Sequence, residues 1–250
     1  MEKINLTVII MAKNEEDNIL AAIKSASFAS EILVIDDYSS DKTAEIAIEQ
    51  GAKVIARELN GDFASQLNFA IKKARSNYVF ILDADERINP KLADSIAKTI
   101  QNEEQITGII KRKNYLHITK ATHGILRADF IPRLFLKTAI EVRGQVHQSY
   151  CSSMPNKLLS GHLIHFPYKS WEQYLHKGNL YTSLAAEKYK QQGRKCFFLL
   201  DIVIKPFWAF FKVYFWHLGF LDGKIGFILA FNHAAYTMNK YAKLMTEGKL

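Results

Sequence analysis

"LTVIIMAKNEEDN", residues 6–18, decides the fold. Seven near-continuously apolar residues, 6–12, run straight into a polar cluster at 13–17. A strand with one wet face would alternate apolar and polar residues, so an uninterrupted run predicts a strand covered on both faces, as in a parallel sheet. The pattern recurs at "EILVID" (31–36), "KVIA" (53–56) and "YVFILD" (78–83). Helical spacing fills the intervals at 15–28, at 41–50 with Gly51 as its stop signal, and at 63–75. The repetition predicts an α/β protein: a mostly parallel, doubly wound central sheet with helices on both faces. Ligands of such sheets gather outside the carboxyl ends of the strands.

That rule gives the polar clusters a location. "KNEEDN" follows the first strand, "DDYSSD" the second and "DADE" the fourth, so their carboxylates should meet along one edge. Asp83 and Asp85 leave a buried strand one residue apart and can jointly reach a hard divalent cation, Mg²⁺ or Mn²⁺. Such a cation would hold a diphosphate and neutralise charge on a departing phosphate. The competing reading gives Asp85 and Glu86 to the start of the helix after Pro90, where acids are favoured. Asp36 and Asp37 are placed to accept the imide N–H of a uracil or a ribose hydroxyl, while Ser39, Ser40 or Asp41 caps the next helix. Asn14 and Glu15, at the same edge, read either as base or ribose contacts or as a helix start. His162 and His165 lie on a β-like segment and are expected on one face, with His165 first choice as a third metal ligand and a core histidine as the alternative. Arg133, Arg143, Lys177 and Tyr181 are candidates for phosphate or acceptor contact, or simply solvated side chains.

Length and composition bound the rest. The 250 residues, 48% hydrophobic and 12% aromatic, suffice for a large core and exclude a disordered chain. The +8 formal charge, from 33 Lys and Arg against 25 Asp and Glu, favours phosphate, an anionic membrane or nucleic acid as partner. Cys151 and Cys196 show no metal-like spacing, which argues against a disulfide scaffold and for a reducing, cytoplasmic compartment. The run at 6–12 is too short for a secretion signal. Residues 108–166 break into shorter β-like pieces, expected as antiparallel additions that wall off an acceptor site, and the chain reads helical from 170 onward. Its tail, "FFLLDIVIKPFWAFFKVYFWHLGFLDGKIGFILAF" (197–231), is apolar almost all round, with Lys205 and Lys212 one heptad apart. Charges and Pro206 interrupt every window short of the ~18 apolar residues a span needs. The expectation is a helix in the headgroup region, anchored by Trp208 and Trp216; burial against the protein itself is the alternative.

Four segments in order, "VIIMAKNEE", "VIDDYSSDKT", "FASQLNFAIKKA" and "YVFILDADE", resemble the nucleotide-binding half of the family 2 glycosyltransferases with a GT-A fold. The likeness continues through "RLFLK", "RGQVHQ", "HLIHFPYKSWEQYLHKGNLYT" and "GFLDGKIGFILAFNHAAY", which resemble the bacterial lipopolysaccharide inner-core subgroup that includes β-1,4-glucosyltransferases acting on heptose. The resemblance implies a GT-A domain over 1–168, binding the nucleotide-sugar within 1–105 and the acceptor within 106–168, and a helical, membrane-associating extension over 169–250. It implies a UDP-sugar donor, a divalent cation and inversion at the anomeric carbon. Asn14, Glu15, Asp36, Asp37, Gln66 and Asn68 would then serve the nucleoside, Asp83, Ala84 and Asp85 the diphosphate, and Asp83, Asp85 and His165 the metal.

One-step inversion needs a general base for the acceptor hydroxyl. The subgroup usually shows Val-His-Glu where this chain has Val146-His147-Gln148, and an amide cannot take the proton at neutral pH. The candidates are His147, Glu86 and Glu141, in that order. The implied activity is transfer of a hexose, glucose first, to a heptose of the lipopolysaccharide inner core by an enzyme peripheral on the cytoplasmic face of the inner membrane. The alternatives are transfer to a polyprenyl-linked or other surface glycan, and a non-catalytic basic protein binding membrane or nucleic acid. Carboxylates gathered at the ligand edge argue against a nucleic-acid partner.

Overall fold

The structure, a computed structural model, describes residues 3–116, 122–144 and 149–247. The chain forms two compact units, one of residues 1–112 and 129–165, the other of 113–128 and 166–250.

The first unit opens with β1 (Ile4–Ala12), α1 (Glu16–Ser25), β2 (Ala29–Asp36), α2 (Thr43–Glu49), β3 (Lys53–Ala56), α3 (Phe63–Lys73) and β4 (Tyr78–Asp83). Each strand covers the apolar run that predicted it, extended at the start in β1 and β2. The four strands pair in parallel in the order β3-β2-β1-β4, so the chain steps outward on both sides of β1. The reversal creates the crevice where open α/β sheets bind ligands. Alternation along β1 explains its apolar run. Val8 and Ile10 face a core with Ile19 and Ile23 of α1 and Ala47 of α2, while Ile9 faces Leu67 and Ile71 of α3. Burying each of these side chains contributes about 1.5–3 kcal/mol.

After β4 the chain makes a tight turn into β5 (Glu86–Ile88), then α4 (Pro90–Gln101), β6 (Thr107–Leu116) and β7 (Asp129–Leu136). A two-stranded hairpin, β8 (Ile140–Arg143) and β9 (Ser149–Ser152), precedes β10 (Asn156–Leu158) and β11 (Leu163–Tyr168). The antiparallel additions expected after residue 108 are present, since β7 pairs antiparallel with both β4 and β6, and β11 with β5. One piece departs from that expectation: β10 runs parallel to β6. Its chain comes from the β8–β9 hairpin rather than from a direct return of β6.

The start of α4 decides between the two readings of the acidic turn. Asn89 caps the helix, its Oδ1 accepting the Leu92 N–H at 2.9 Å, with Pro90 in the first turn where its missing N–H costs nothing. Glu86 lies in β5 instead, so the acids do not cap this helix. The same Asn89 Oδ1 accepts the His162 N–H at 3.0 Å, and Gly161 (φ +94°) lets the backbone pass close by. A Cβ at Gly161 would stand 2.3 Å from Leu92 N. Gly161→Ala is expected to destabilise by about 2–4 kcal/mol through the clash and the left-handed backbone together, read as a lowered urea midpoint with unchanged m-value.

The second unit contains α5 (Trp171–Gln191), α6 (Lys205–Phe211) and α7 (Gly223–Glu247). Ser170 caps α5 by accepting the Gln173 N–H at 3.1 Å. π-helical turns, Phe198–Ile204 and Lys212–Trp216, flank α6, widening the helix on both sides of Pro206. Leu116, Leu126 and Leu229 form a small core with Trp171 and Tyr174 packed against it. Among the described residues no helix is long and apolar enough to cross a membrane.

Candidate active site

The parallel register sets the site. Ala12 of β1 pairs with Asp36 of β2, and Met11 with Asp83 of β4, so both aspartates end strands flanking β1. Two strand spacings put them about 10 Å apart. The acids that the sequence placed along one edge are there.

On the β2 side the exit loops of β1 and β2 are laced together. Asn14, left-handed at φ 55°, donates its N–H to Ser39 Oγ at 2.9 Å and accepts the Ser40 N–H on Oδ1 at 2.8 Å. Glu15 donates its N–H to Thr43 Oγ1 at 2.7 Å and accepts Asn18 Nδ2 at 2.7 Å. Asp36, buried, accepts the Ser39 N–H at 3.0 Å and the Ser39 hydroxyl at 2.5 Å. Asp37 accepts the Leu59 N–H at 2.9 Å and Lys13 Nζ at 2.8 Å. None of the three expected residues caps α2, which opens at Lys42 without a side-chain cap; Asp41, one position earlier, accepts the Thr43 N–H at 3.0 Å. A carboxylate offers about four lone-pair sites, so Asp36 and Asp37 keep capacity for a ligand.

Burial works against ionisation of Asp37, but hydrogen bonds from Lys13 and Leu59 outweigh it and hold the carboxyl below the ordinary range. A depressed value contributes stability above the ordinary aspartate pKa of about 3.9, lost as pH falls through the lower folded value. Asp37→Asn is therefore expected to cost about 1 kcal/mol at pH 7 and close to nothing near pH 2, measured by urea unfolding at both.

Two α3 residues named for the nucleoside have separate fates. Gln66 is buried, donates Nε2 to the Arg57 carbonyl at 3.2 Å and leaves Oε1 unpartnered beneath the β3 exit. Asn68 instead turns its amide to β8: Nδ2 donates to the Val142 carbonyl at 2.7 Å, and Oδ1 accepts the Val142 N–H at 3.0 Å. These two bonds tie α3 to β8.

On the β4 side an ion network governs the carboxylates. Asp83 accepts Arg133 at 2.5 Å. Arg133, only 5% exposed, also donates to Glu86 Oε1 at 2.9 Å, and Arg112 reaches that oxygen at 3.2 Å and Asp129 at 2.7 Å. Glu86 Oε2 accepts the Asp83 N–H at 3.2 Å. Ala84 is buried, and its carbonyl accepts Arg87 at 2.8 Å, which fixes the turn. Burial opposes ionisation of Asp83, and the Arg133 charge overrides it to hold the carboxyl below the ordinary range. Burial pushes Glu86 upward, with Arg133 opposing it.

Asp85 and His165 face each other, Oδ2 to Nε2 at 3.4 Å. His165 pairs across the β11–β5 ladder with Glu86. Among the described residues no three His, Cys, Asp or Glu side chains stand in a metal-holding group, because Asp83 is turned to Arg133. The donors that remain are Asp85 and the 43% exposed Asp83, carboxylate oxygens that suit Mn²⁺ or Mg²⁺, with the His165 imidazole beside them.

Several expectations are corrected. Glu86 has no exposed surface and serves as counter-ion to two guanidiniums, so it cannot meet an acceptor hydroxyl. Glu141 alternates outward from buried Val142 and pairs with Arg143 at 2.7 Å on the hairpin's solvent side. His162 stands three positions from His165, not on a shared strand face, and packs Nδ1 against Asn89 at 3.2 Å. Arg133 is a buried structural cation rather than a solvated phosphate contact. Lys177 donates to the Pro167 carbonyl at 3.0 Å. His147 lies outside the described residues.

Sequence reasoning missed Arg87 and Arg112, whose lone basic codes carry no local signal. It also missed Tyr38, 66% exposed beside Asp37 and left-handed at φ 48°, a costly backbone for an aromatic residue.

The model of the family described as "Glycosyl transferase family 2" matches residues 7–219. An uncharacterized glycosyltransferase of Rickettsia typhi is 29% identical over 96% of this chain and 86% of its own length. A lipopolysaccharide core biosynthesis glycosyltransferase, LpsC, of Rhizobium meliloti is 26% identical over 99% of this chain and 94% of its own. Among solved structures, glucosyl-3-phosphoglycerate synthase from Mycobacterium tuberculosis, in complex with Mn²⁺, UDP and glucosyl-3-phosphoglycerate, is similar at TM-score 0.46 and 15% identity, covering 77% of this chain and 81% of that one.

Proposed function

Because the chain belongs to glycosyl transferase family 2, we propose that it moves a hexose, glucose first, from a UDP-sugar to a heptose of the lipopolysaccharide inner core, inverting the anomeric carbon. The observation that carries this reading is the placement of two acid pairs, Asp36 with Asp37 and Asp83 with Asp85, at the exits of the strands on either side of β1. Likeness to the lipopolysaccharide core glycosyltransferase of Rhizobium meliloti over nearly the whole chain supports the choice of acceptor. In this reading the first unit is catalytic, and the enzyme works peripherally at the cytoplasmic face of the inner membrane.

Asp36 and Asp37 accept from the uracil imide and ribose, with Asn14, Glu15 and Gln66 around them. Asp83, Asp85 and His165 would hold a Mg²⁺ or Mn²⁺. When bound, the cation neutralises charge that builds on the diphosphate as the glycosidic bond breaks. Arg133 keeps Asp83 ionised, and Asp83 would turn an oxygen from that guanidinium toward the cation. As the acceptor oxygen bonds to the anomeric carbon, its proton passes to the base and UDP departs. The base in this reading is His147, first of the three candidates; Glu86 is sealed from an acceptor and Glu141 pairs with Arg143.

The reading is tested by UDP release from UDP-glucose, UDP-galactose and UDP-N-acetylglucosamine, with a heptosylated lipid A core as acceptor. Turnover with UDP-glucose and Mn²⁺, absent in chelator, is expected. No thermal stabilisation by UDP and no release from any donor would instead fit a non-catalytic basic protein. His147→Ala is expected to lower kcat at least about a hundredfold and to abolish the acidic limb of the kcat/KM profile; an unchanged limb would remove His147 from the mechanism.

A further inference from the structure

The stretch from 192 to 231 in the second unit exposes an amount of apolar surface unusual for a protein left in water. Phe198, Leu199, Phe207, Trp208, Trp216 and Phe231 are each more than half exposed, with Trp216 at 76%. Leu200, Ile204, Phe207, Phe211 and Phe215, all exposed, follow one another at helical intervals along a single stripe through α6 and its π-helical flanks. Phe211 meets Phe215 at 5.0 Å with the rings tilted, and Trp208 stacks on Phe211 at 5.7 Å beside the stripe.

Charge decides what covers it. The only carboxylates between 192 and 231 are Asp201 and Asp222, and both are withdrawn from the surface. Asp201, 1% exposed, accepts the Phe197 N–H at 2.8 Å and Lys205 at 2.5 Å. Asp222 accepts the backbone N–H of Thr122 at 3.1 Å and of His123 at 2.7 Å, and pairs with the His123 ring at 2.9 Å. Lys195, Lys212 and Lys224 remain exposed among the aromatics. A protein partner or a second copy would set hydrophobic contacts beside these lysines with no carboxylate from this face to pair them. An anionic bilayer answers both features, since phosphates take the lysines while aromatic side chains enter the acyl boundary. No described helix is long and apolar enough to cross a membrane.

We infer that α6 and its π-helical flanks form a membrane-docking face for anionic phospholipid, lying in the plane of the bilayer with the Leu200–Phe215 stripe inserted. This deepens the proposed function and rests on it only for the choice of membrane.

The test is flotation of the full chain with vesicles of phosphatidylglycerol and phosphatidylethanolamine against vesicles of phosphatidylcholine alone. Flotation with the anionic vesicles, weakened at least fivefold on the neutral ones and by salt, is expected. Trp208 and Trp216 emission should shift to the blue and be quenched by brominated lipid in a Trp171→Phe background. The pair Phe207→Ser and Trp208→Ser should cut the floated fraction at least tenfold while leaving UDP thermal stabilisation unchanged. Equal flotation on both vesicle types, no quenching, or a stable dimer that the same pair converts to monomer would overturn the assignment. Since flotation needs no sugar transfer, failure of the catalytic reading leaves this result standing, and the reverse also holds.

Discussion

Asp85→Ala is expected to lower kcat/KM for UDP-glucose by about three orders of magnitude, roughly 4 kcal/mol of lost transition-state stabilisation. Asp85 meets His165 at 3.4 Å and lies in the field of Arg87, outside the Arg112–Arg133–Glu86 cluster, so its loss should cost little stability. Mn²⁺ binding in the presence of UDP, followed by calorimetry, should fall with the activity. Asp83→Ala offers the contrast, because it also strips a counter-ion from Arg133 and should lower the melting temperature as well. Full turnover of wild type in chelator, or an Asp85→Ala enzyme that still binds Mn²⁺ with UDP, would reject the metal role.

Arg133→Met is expected to destabilise by about 3–5 kcal/mol, the largest single effect on folding proposed here. Arg133 is 5% exposed and bridges Asp83 and Glu86; removing it leaves Glu86, which has no exposed surface, with Arg112 at 3.2 Å as its remaining guanidinium. A buried carboxylate short of counter-charge must be neutralised or drawn toward water, and either costs free energy. Combining Arg133→Met with Glu86→Gln should recover part of the loss, because the stranded charge is removed with its partner. Urea unfolding of the single and double variants measures the coupling. A single variant within 1 kcal/mol of wild type would mean that Arg112 alone satisfies Glu86.

The central sheet was legible in the sequence because its signal is local. Four apolar runs with polar exits fix strand positions, and the direction of a parallel sheet carries the exits to one edge. Asp36 and Asp83 could therefore be placed together from spacing alone, and their flanking of β1 follows from the register. Roles that depend on partners far along the chain were not legible. Glu86 read as a possible base because its neighbours in sequence are acids, whereas its environment is set by Arg112 and Arg133, 26 and 47 positions away. Glu141 failed for the same reason, since its outward direction depends on which face of β8 meets α3. The orientation of Asp83 also depends on a long-range partner, and no short motif announces it.

Asn68 shows how such long-range demands can mislead. Its side-chain amide imitates a neighbouring strand toward Val142, giving and receiving one hydrogen bond each, so it splices a helix to a hairpin. Aspartate would lack the donor, leucine both groups, and glutamine would need a displaced backbone. Descendants of this gene would thus be penalised for altering position 68 even if no sugar ever touched it. Invariance there would measure the strictness of a joint, and a census of unchanging polar residues would mistake that joint for part of the catalytic apparatus.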